Sequence, residues 1–175
     1  MSFISKIFGK SSARSASSSD VQRAYGICDA ARDGNESAFM ELLGKGANIN
    51  TTEGGNLDFS PLMWASEQGN IGMLRLLLKS GADPNLRNKR GVTALMLAAN
   101  NGHTGVIKML LDGGANPHFE VGGVSALSGA AAFGHVEAVR LLLDRGARDN
   151  NGRAFEGASQ IGHQEIMNLL KRGGR

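Results

Sequence analysis

Residues typical of secreted, aromatic-rich or membrane-spanning proteins are scarce in this sequence. Of 175 residues only Cys28 is a cysteine, which rules out an internal disulfide and gives no sign of an oxidising compartment. There are 3 prolines and 5% aromatic residues against 25 glycines, a composition that suits short helices packed on small side chains. Apolar runs such as 76–78 are far too short to cross a bilayer. We therefore expect a soluble, single-domain protein.

The positive charge of the chain is concentrated at its two ends. The formal net charge is +3, yet residues 1–19 hold three bases and no acid, and residues 171–175 hold three more bases. Between them, residues 20–170 have 13 bases against 16 acids, which leaves a net charge of −3. Because nucleic-acid binding depends on a basic surface, we expect no DNA or RNA partner.

One segment recurs at a period near 33 residues. The clearest copy spans 91–117, and it is matched by 59–84 and 123–148, with weaker copies on either side. Each strong copy contains a Ser/Thr-Pro/Ala-Leu triplet, a Gly-Asn or Gly-His pair, a Leu-Leu run and a Gly-Ala pair. Self-similarity at this period is typical of stacked repeat arrays.

Each repeat contains the signals of two short helices. In the clearest copy, Thr93 is a helix N-cap residue, Gly102 ends the first helix, and 106–111 carries the apolar stripe of a second helix. Gly114 suits a left-handed C-cap, and Pro117 prevents continuation. Such a helix pair buries too little surface by itself, so the repeats must stack on one another.

The triplets at 60–62, 93–95 and 125–127 open repeats that resemble the ankyrin repeat family. The resemblance implies an all-α solenoid of paired antiparallel helices joined by short finger loops. It divides the chain into a flexible tail, 1–20, and a repeat domain, 21–175. About five repeats are predicted within that domain, at 21–50, 59–85, 91–118, 123–149 and 152–172.

Two features depart from the family pattern. Met63, Met96 and Ser128 stand where the family has a histidine that ties helix to loop, which implies a somewhat less rigid array. In the first copy Asp29 replaces an apolar residue, and a polar outer face is what a capping repeat requires.

The first ten residues form a short amphipathic segment. Phe3, Ile4, Ile7 and Phe8 share one helical face, which is predicted to dock on a membrane or a partner. A frayed terminus and a mitochondrial presequence are the alternatives, the latter because residues 1–19 are basic, free of acids and rich in serine. The predicted location is therefore cytoplasmic, with peripheral contact at a membrane, or mitochondrial.

The resemblance implies binding through the fingers and the concave face of the first helices. The candidate apolar anchors are Phe59, Phe119, Val124 and Phe133. Val124 and Phe133 also suit a half-buried position between repeats. The candidate partner-binding residues are Phe59, Glu67, Gln68, Arg87, Lys89, Arg90, Val92, Asn100, Asn101, Phe119, Glu120, Val124 and Phe133, and the same surface includes Ala132, Gln160 and Ile161.

No catalytic, metal-binding or cofactor site is predicted. His103, His135 and His163 occupy the same repeat position, so a structural role in the turn explains all three. The leading hypothesis is a monomeric, non-catalytic module that binds another protein. The alternatives are an inhibitor or immunity-type protein that blocks a partner enzyme, a nucleic-acid binder, and an enzyme built on the repeats.

Overall fold

The computed structural model describes residues 26–173, and helices make up nearly all of the regular structure in that range. Its ten helices are α1 (Ile27–Arg32), α2 (Glu36–Gly44), α3 (Pro61–Gln68), α4 (Ile71–Lys79), α5 (Ala94–Asn100), α6 (Thr104–Asp112), α7 (Ala126–Ala132), α8 (Val136–Asp144), α9 (Arg153–Gln160) and α10 (Gln164–Gly173). They form five helix pairs, and the predicted all-α repeat solenoid is confirmed.

The first helices of the central repeats begin at the predicted caps. The hydroxyls of Ser60, Thr93 and Ser125 each accept a hydrogen bond from the backbone N–H three residues later, at 3.3, 3.3 and 3.2 Å. Ser128 completes a capping box, because its hydroxyl accepts a hydrogen bond of 2.8 Å from the backbone N–H of Ser125. The start of each of these helices is therefore set locally.

One apolar core runs through all five helix pairs. The first helices pack in the order α1, α3, α5, α7, α9, and the second helices α4, α6, α8 and α10 pack in sequence behind them. Alanines such as Ala98 and Ala130 are fully buried and allow neighbouring helices to approach closely. The largest fully buried side chains are Phe39, Met63, Met73, Leu74, Leu77, Leu95, Leu97, Ile107, Leu110, Leu127, Leu142 and Ile166.

The finger between α6 and α7 forms a small hairpin. Strands β1 (Glu120–Val121) and β2 (Val124–Ser125) are antiparallel, with Val121 opposite Val124. Gly122 and Gly123 connect them with φ values of +56° and +80°. A two-residue type I′ hairpin turn requires a left-handed backbone at both central residues, and glycine adopts this conformation without steric cost.

The expectation that Asp29 lies on a polar outer face is wrong. Asp29 is only 7% exposed. Its carboxylate accepts a hydrogen bond of 2.8 Å from the backbone N–H of Gly26 and one of 2.7 Å from the Arg32 guanidinium. Asp29 therefore caps the start of α1, because its position in the helix brings it back to the first N–H group.

The predicted docking segment with Phe3, Ile4, Ile7 and Phe8 lies outside the described residues. Among the helices of residues 26–173, none is long and apolar enough to cross a membrane.

Candidate partner-binding surface

Asparagine side chains join successive finger loops. The side-chain oxygen of Asn50 accepts a hydrogen bond of 2.8 Å from the backbone N–H of Asp83. The side-chain oxygen of Asn85 accepts one of 2.8 Å from the backbone N–H of Asn116. Each bond links one finger loop to the next. These bonds therefore fix the positions of neighbouring fingers, and of the candidate residues on them, relative to each other.

Asp58 joins the first finger to the second. The residue is 3% exposed and its backbone has a φ of +53°. Its carboxylate accepts a hydrogen bond of 2.7 Å from the Thr52 hydroxyl and one of 3.1 Å from the Lys89 backbone N–H. The Lys89 ammonium lies 3.5 Å from the same carboxylate. The hydrogen bond from Thr52 and the contacts with Lys89 lower the pKa of Asp58, although burial acts in the opposite direction.

The second and third fingers meet through an arginine and an aromatic ring. The guanidinium carbon of Arg87 lies 5.3 Å from the centre of the Phe119 ring, a cation–π distance. Arg87 also donates a hydrogen bond of 3.3 Å to the Gly91 carbonyl. Lys89 and Arg90 are exposed on the same finger. The structure thus brings the basic and apolar candidates of these two fingers together.

A groove of about 340 Å³ lies between α7 and α9 and is referred to below as the α7–α9 groove. Its first wall comes from the third and fourth repeats and comprises Asn100, Val124, Ser128, Gly129, Ala132 and Phe133. Its second wall is formed by α9 and comprises Arg153, Glu156, Gly157 and Gln160. Five of the predicted residues therefore line one cavity: Asn100, Val124, Ala132, Phe133 and Gln160.

The floor of the groove carries a buried amide. Asn100 is 6% exposed, and its side-chain oxygen is buried with no hydrogen-bond partner among the described residues. A Cβ atom added at Gly129 would lie 1.7 Å from that oxygen. Only a glycine at position 129 therefore leaves room for the Asn100 side chain to pack against the backbone of α7.

The candidates of the second repeat lie apart from this groove, and one of them is not accessible. Phe59 is 3% exposed and packs edge-on against Trp64, with ring centres 5.1 Å apart. The prediction of Phe59 as a surface anchor is wrong, because the residue belongs to the core. Gln68 is exposed and donates a hydrogen bond of 2.8 Å to the carbonyl of Arg32.

The other candidates lie beside these features. Val92 is half-buried against the core, and the Asn101 amide donates a hydrogen bond of 2.9 Å to the Leu97 carbonyl. Glu120 is exposed and accepts a hydrogen bond of 3.3 Å from Asn151. Val124, at 39% exposure, is the large apolar residue of the groove that is most open to solvent.

Sequence reasoning missed five lining residues: Ser128, Gly129, Arg153, Glu156 and Gly157. The sequence signal that could have pointed to this groove is the presence of Gly129 and Gly157 inside helical segments, because a glycine within a helix often has a packing or functional reason.

Two of the repeated histidines connect neighbouring repeats. Nε2 of His103 lies 3.1 Å from the carbonyl oxygen of Glu67, and Nε2 of His135 lies 3.1 Å from that of Asn100. The predicted structural role is confirmed for these two residues. Within residues 26–173, no group of three or more His, Cys, Asp or Glu side chains is placed to hold a metal ion.

Comparisons with known proteins match the repeats. A family model described as ankyrin repeats in three copies matches residues 27–121, and a model of a single ankyrin repeat matches residues 122–153. Together these two matches cover more than half of the chain.

Similar curated proteins share the repeats only. The chain is 40% identical over 74 residues to a palmitoyltransferase AKR1 of Kluyveromyces lactis, a match that covers 42% of the chain and 10% of that protein. It is 41% identical over 54 residues to palmitoyltransferase Hip14 of Drosophila melanogaster, covering 31% and 8%. It is 39% identical over 66 residues to a putative ankyrin repeat-containing protein of Treponema pallidum, covering 38% and 22%. The matched segments are thus small parts of these relatives.

Proposed function

This chain belongs to the ankyrin repeat family, and on that premise we propose that it is a non-catalytic module that binds another protein through its fingers and the face of its first helices. The palmitoyltransferase activity in the names of two relatives belongs to those proteins, of which the matches cover 10% and 8%. Residues 1–10 tether the module to a membrane surface or to a second partner.

The observation that carries this proposal is the continuity of candidate residues across two repeats. Arg87 of the second finger packs on Phe119 of the third, and Val124 of the hairpin that follows is one of the residues lining the α7–α9 groove. An apolar centre with charged residues around it is the usual composition of a protein interface. The hydrogen bonds between fingers hold this surface in one arrangement, which reduces the entropy lost on binding.

The test is capture of a partner from native lysate, followed by affinity measurements with the purified pair. Phe119→Ala and Arg90→Ala are expected to weaken binding about tenfold or more if these residues are central contacts. Met40→Ala is the matched control, because Met40 is 50% exposed on α2, away from the fingers. A version without residues 1–19 tests the tether separately.

Two results would contradict the proposal. One is equal affinity of the wild type and both surface variants, with the fold of each verified by circular dichroism. The other is turnover of a substrate by the pure protein that disappears when a single side chain is changed.

A further inference from the structure

We propose that Asn151 is a site of spontaneous deamidation, and that its conversion to aspartate or isoaspartate releases the hairpin of strands β1 and β2 from the fifth repeat. The inference goes beyond the proposed function and names a covalent modification of this chain. It depends on the contrast between two Asn-Asn-Gly sequences, residues 100–102 and 150–152, which are identical in sequence and differ in their surroundings.

Deamidation uses the backbone nitrogen of the residue that follows the asparagine. After a solvent hydroxide removes its proton, the nitrogen of Gly152 bonds to Cγ of Asn151, and the bond between Cγ and Nδ2 breaks. Nδ2 takes a proton from water and leaves as ammonia, so the first product is a succinimide ring. Water then opens the ring at either carbonyl carbon, which gives aspartate or isoaspartate. Glycine favours ring closure because it has no Cβ atom to obstruct the nitrogen.

The attacking nitrogen is free at one of the two sites and held at the other. Gly152 is exposed, and its N–H has no hydrogen-bond acceptor in the described part of the chain. The N–H of Gly102 donates a hydrogen bond of 3.2 Å to the Ala99 carbonyl at the end of α5. That bond has to break before Gly102 can react, and Asn101 is itself half-buried. The structure therefore favours ring closure at Asn151.

The side chain of Asn151 is folded over the nitrogen that attacks it. Its Oδ1 accepts a hydrogen bond of 3.1 Å from the backbone N–H of Arg153. A bond of this kind, to the N–H two residues later, turns the side chain back over the intervening Gly152. Oδ1 gains negative charge when the nitrogen adds to Cγ, and the same N–H, at the start of α9, stabilises that charge. The Asn101 amide instead donates a hydrogen bond of 2.9 Å to the Leu97 carbonyl, so it is directed toward the preceding turn of its helix.

The amide nitrogen that the reaction removes ties the hairpin to the fifth repeat. Nδ2 of Asn151 donates hydrogen bonds to the Gly123 carbonyl at 2.9 Å and to the Glu120 carboxylate at 3.3 Å. Because Asn151 is exposed, water replaces these bonds at little cost when ammonia leaves. In the product a carboxylate oxygen faces the same two acceptors, to which it donates nothing and which it repels.

The start of α9 tolerates the aspartate product. An aspartate at position 151 keeps an oxygen that accepts the hydrogen bond from the Arg153 N–H, and a negative charge is favourable at a helix N-terminus. Isoaspartate additionally lengthens the backbone by one methylene group. The expected change is therefore local, and it consists of the release of the hairpin.

The released hairpin belongs to the proposed partner-binding surface. Val124 lies in β2, and Phe119 directly precedes β1. We therefore expect the deamidated chain to bind a protein partner less tightly. This consequence rests on the proposed function, whereas the reaction and the release of the hairpin do not.

Mass spectrometry of the full chain measures both sites in one sample. The folded protein is incubated at mildly alkaline pH, and conversion is quantified in the proteolytic peptides that contain Asn101 and Asn151. We expect Asn151 to convert about tenfold faster or more, since a backbone hydrogen bond must first be broken at the slower site. The control is the same chain unfolded in urea, where the two Asn-Asn-Gly sequences are expected to react at equal rates.

Hydrogen exchange measured by NMR tests the release of the hairpin. Asn151→Asp reproduces one product and is expected to speed amide exchange in β1 and β2 by about 2- to 10-fold, because the hydrogen bonds to the hairpin are lost. The amides of α9 should keep their exchange rates. Asn116→Asp is the matched control, because it adds the same charge to the same finger and retains the oxygen that accepts the His118 N–H at 2.9 Å. Circular dichroism verifies that both variants are folded.

Equal conversion of Asn101 and Asn151 in the folded chain, or faster conversion at Asn101, would overturn the assignment of the site. Unchanged exchange of the hairpin in Asn151→Asp, or an equal increase in Asn116→Asp, would overturn the assignment of the consequence. If these tests fail but Phe119→Ala still weakens partner binding, this inference is wrong and the proposed function stands.

Discussion

Substituting Gly102 by alanine tests whether the histidine contacts between repeats stabilise the array. Gly102 has a φ of +70°, and a Cβ added there would lie 2.5 Å from Nδ1 of His135. Gly114 of the same repeat has a φ of +90° but nothing within 4 Å of an added Cβ. The two substitutions therefore share the cost of a left-handed alanine, and only the first displaces the histidine ring.

The expected difference follows from the hydrogen bond of His135. A left-handed alanine costs roughly 1–2 kcal/mol at either site. Moving the His135 ring to an ordinary contact distance breaks its bond of 3.1 Å to the Asn100 carbonyl. Leaving that carbonyl unpaired costs about 1–3 kcal/mol more. Gly102→Ala is thus expected to lower the free energy of unfolding by about 2–5 kcal/mol, and Gly114→Ala by about 1–2 kcal/mol.

Urea unfolding of the full chain, followed by circular dichroism, measures both values. The comparison requires that the free energy of unfolding depends on urea concentration with the same slope in the wild type and both variants. A double-mutant cycle with His135→Ala supplies the check, because the additional cost at Gly102 should disappear once the ring is absent. Equal destabilisation by Gly102→Ala and Gly114→Ala, or no coupling in the cycle, would refute the reasoning.

Three further predictions concern the caps, the core and the fingers. Ser125→Ala should lower the free energy of unfolding by about 1 kcal/mol in the same urea assay, because it removes the N-cap of α7. Phe59→Ala should lower it by about 3–5 kcal/mol and leave the affinity of the folded protein for a partner unchanged, since the ring is in the core. The pKa of Asp58 is lowered in the folded protein, so its carboxylate stabilises the fold at any pH above the ordinary pKa of a carboxyl group. This stabilisation is lost as the pH falls through the lowered pKa of the folded state. Urea midpoints between pH 7 and pH 3 should therefore decrease less at acid pH for Asp58→Asn than for the wild type; parallel curves would contradict the assignment.

The helix pairs and their starts could be predicted because their signals are local. The hydroxyls of Ser60, Thr93 and Ser125 bond to N–H groups three residues away, so sequence spacing alone is sufficient. The prediction for Phe59 was wrong because its position at the end of a finger leaves two directions open for the side chain. Packing against Trp64 of the next helix decides between them.

The sequence by itself determined the repeat period, the family and the helix caps of the three central repeats, since these repeats make the same local bonds. Only the tertiary structure decided the α7–α9 groove, because Asn100, Gly129 and Gly157 come from three successive repeats. Their approach depends on how closely α5, α7 and α9 pack, and that distance is set by glycine and alanine contacts between helices. No spacing within a single repeat encodes such a contact, so the groove and its unpaired amide emerge only when the repeats are stacked.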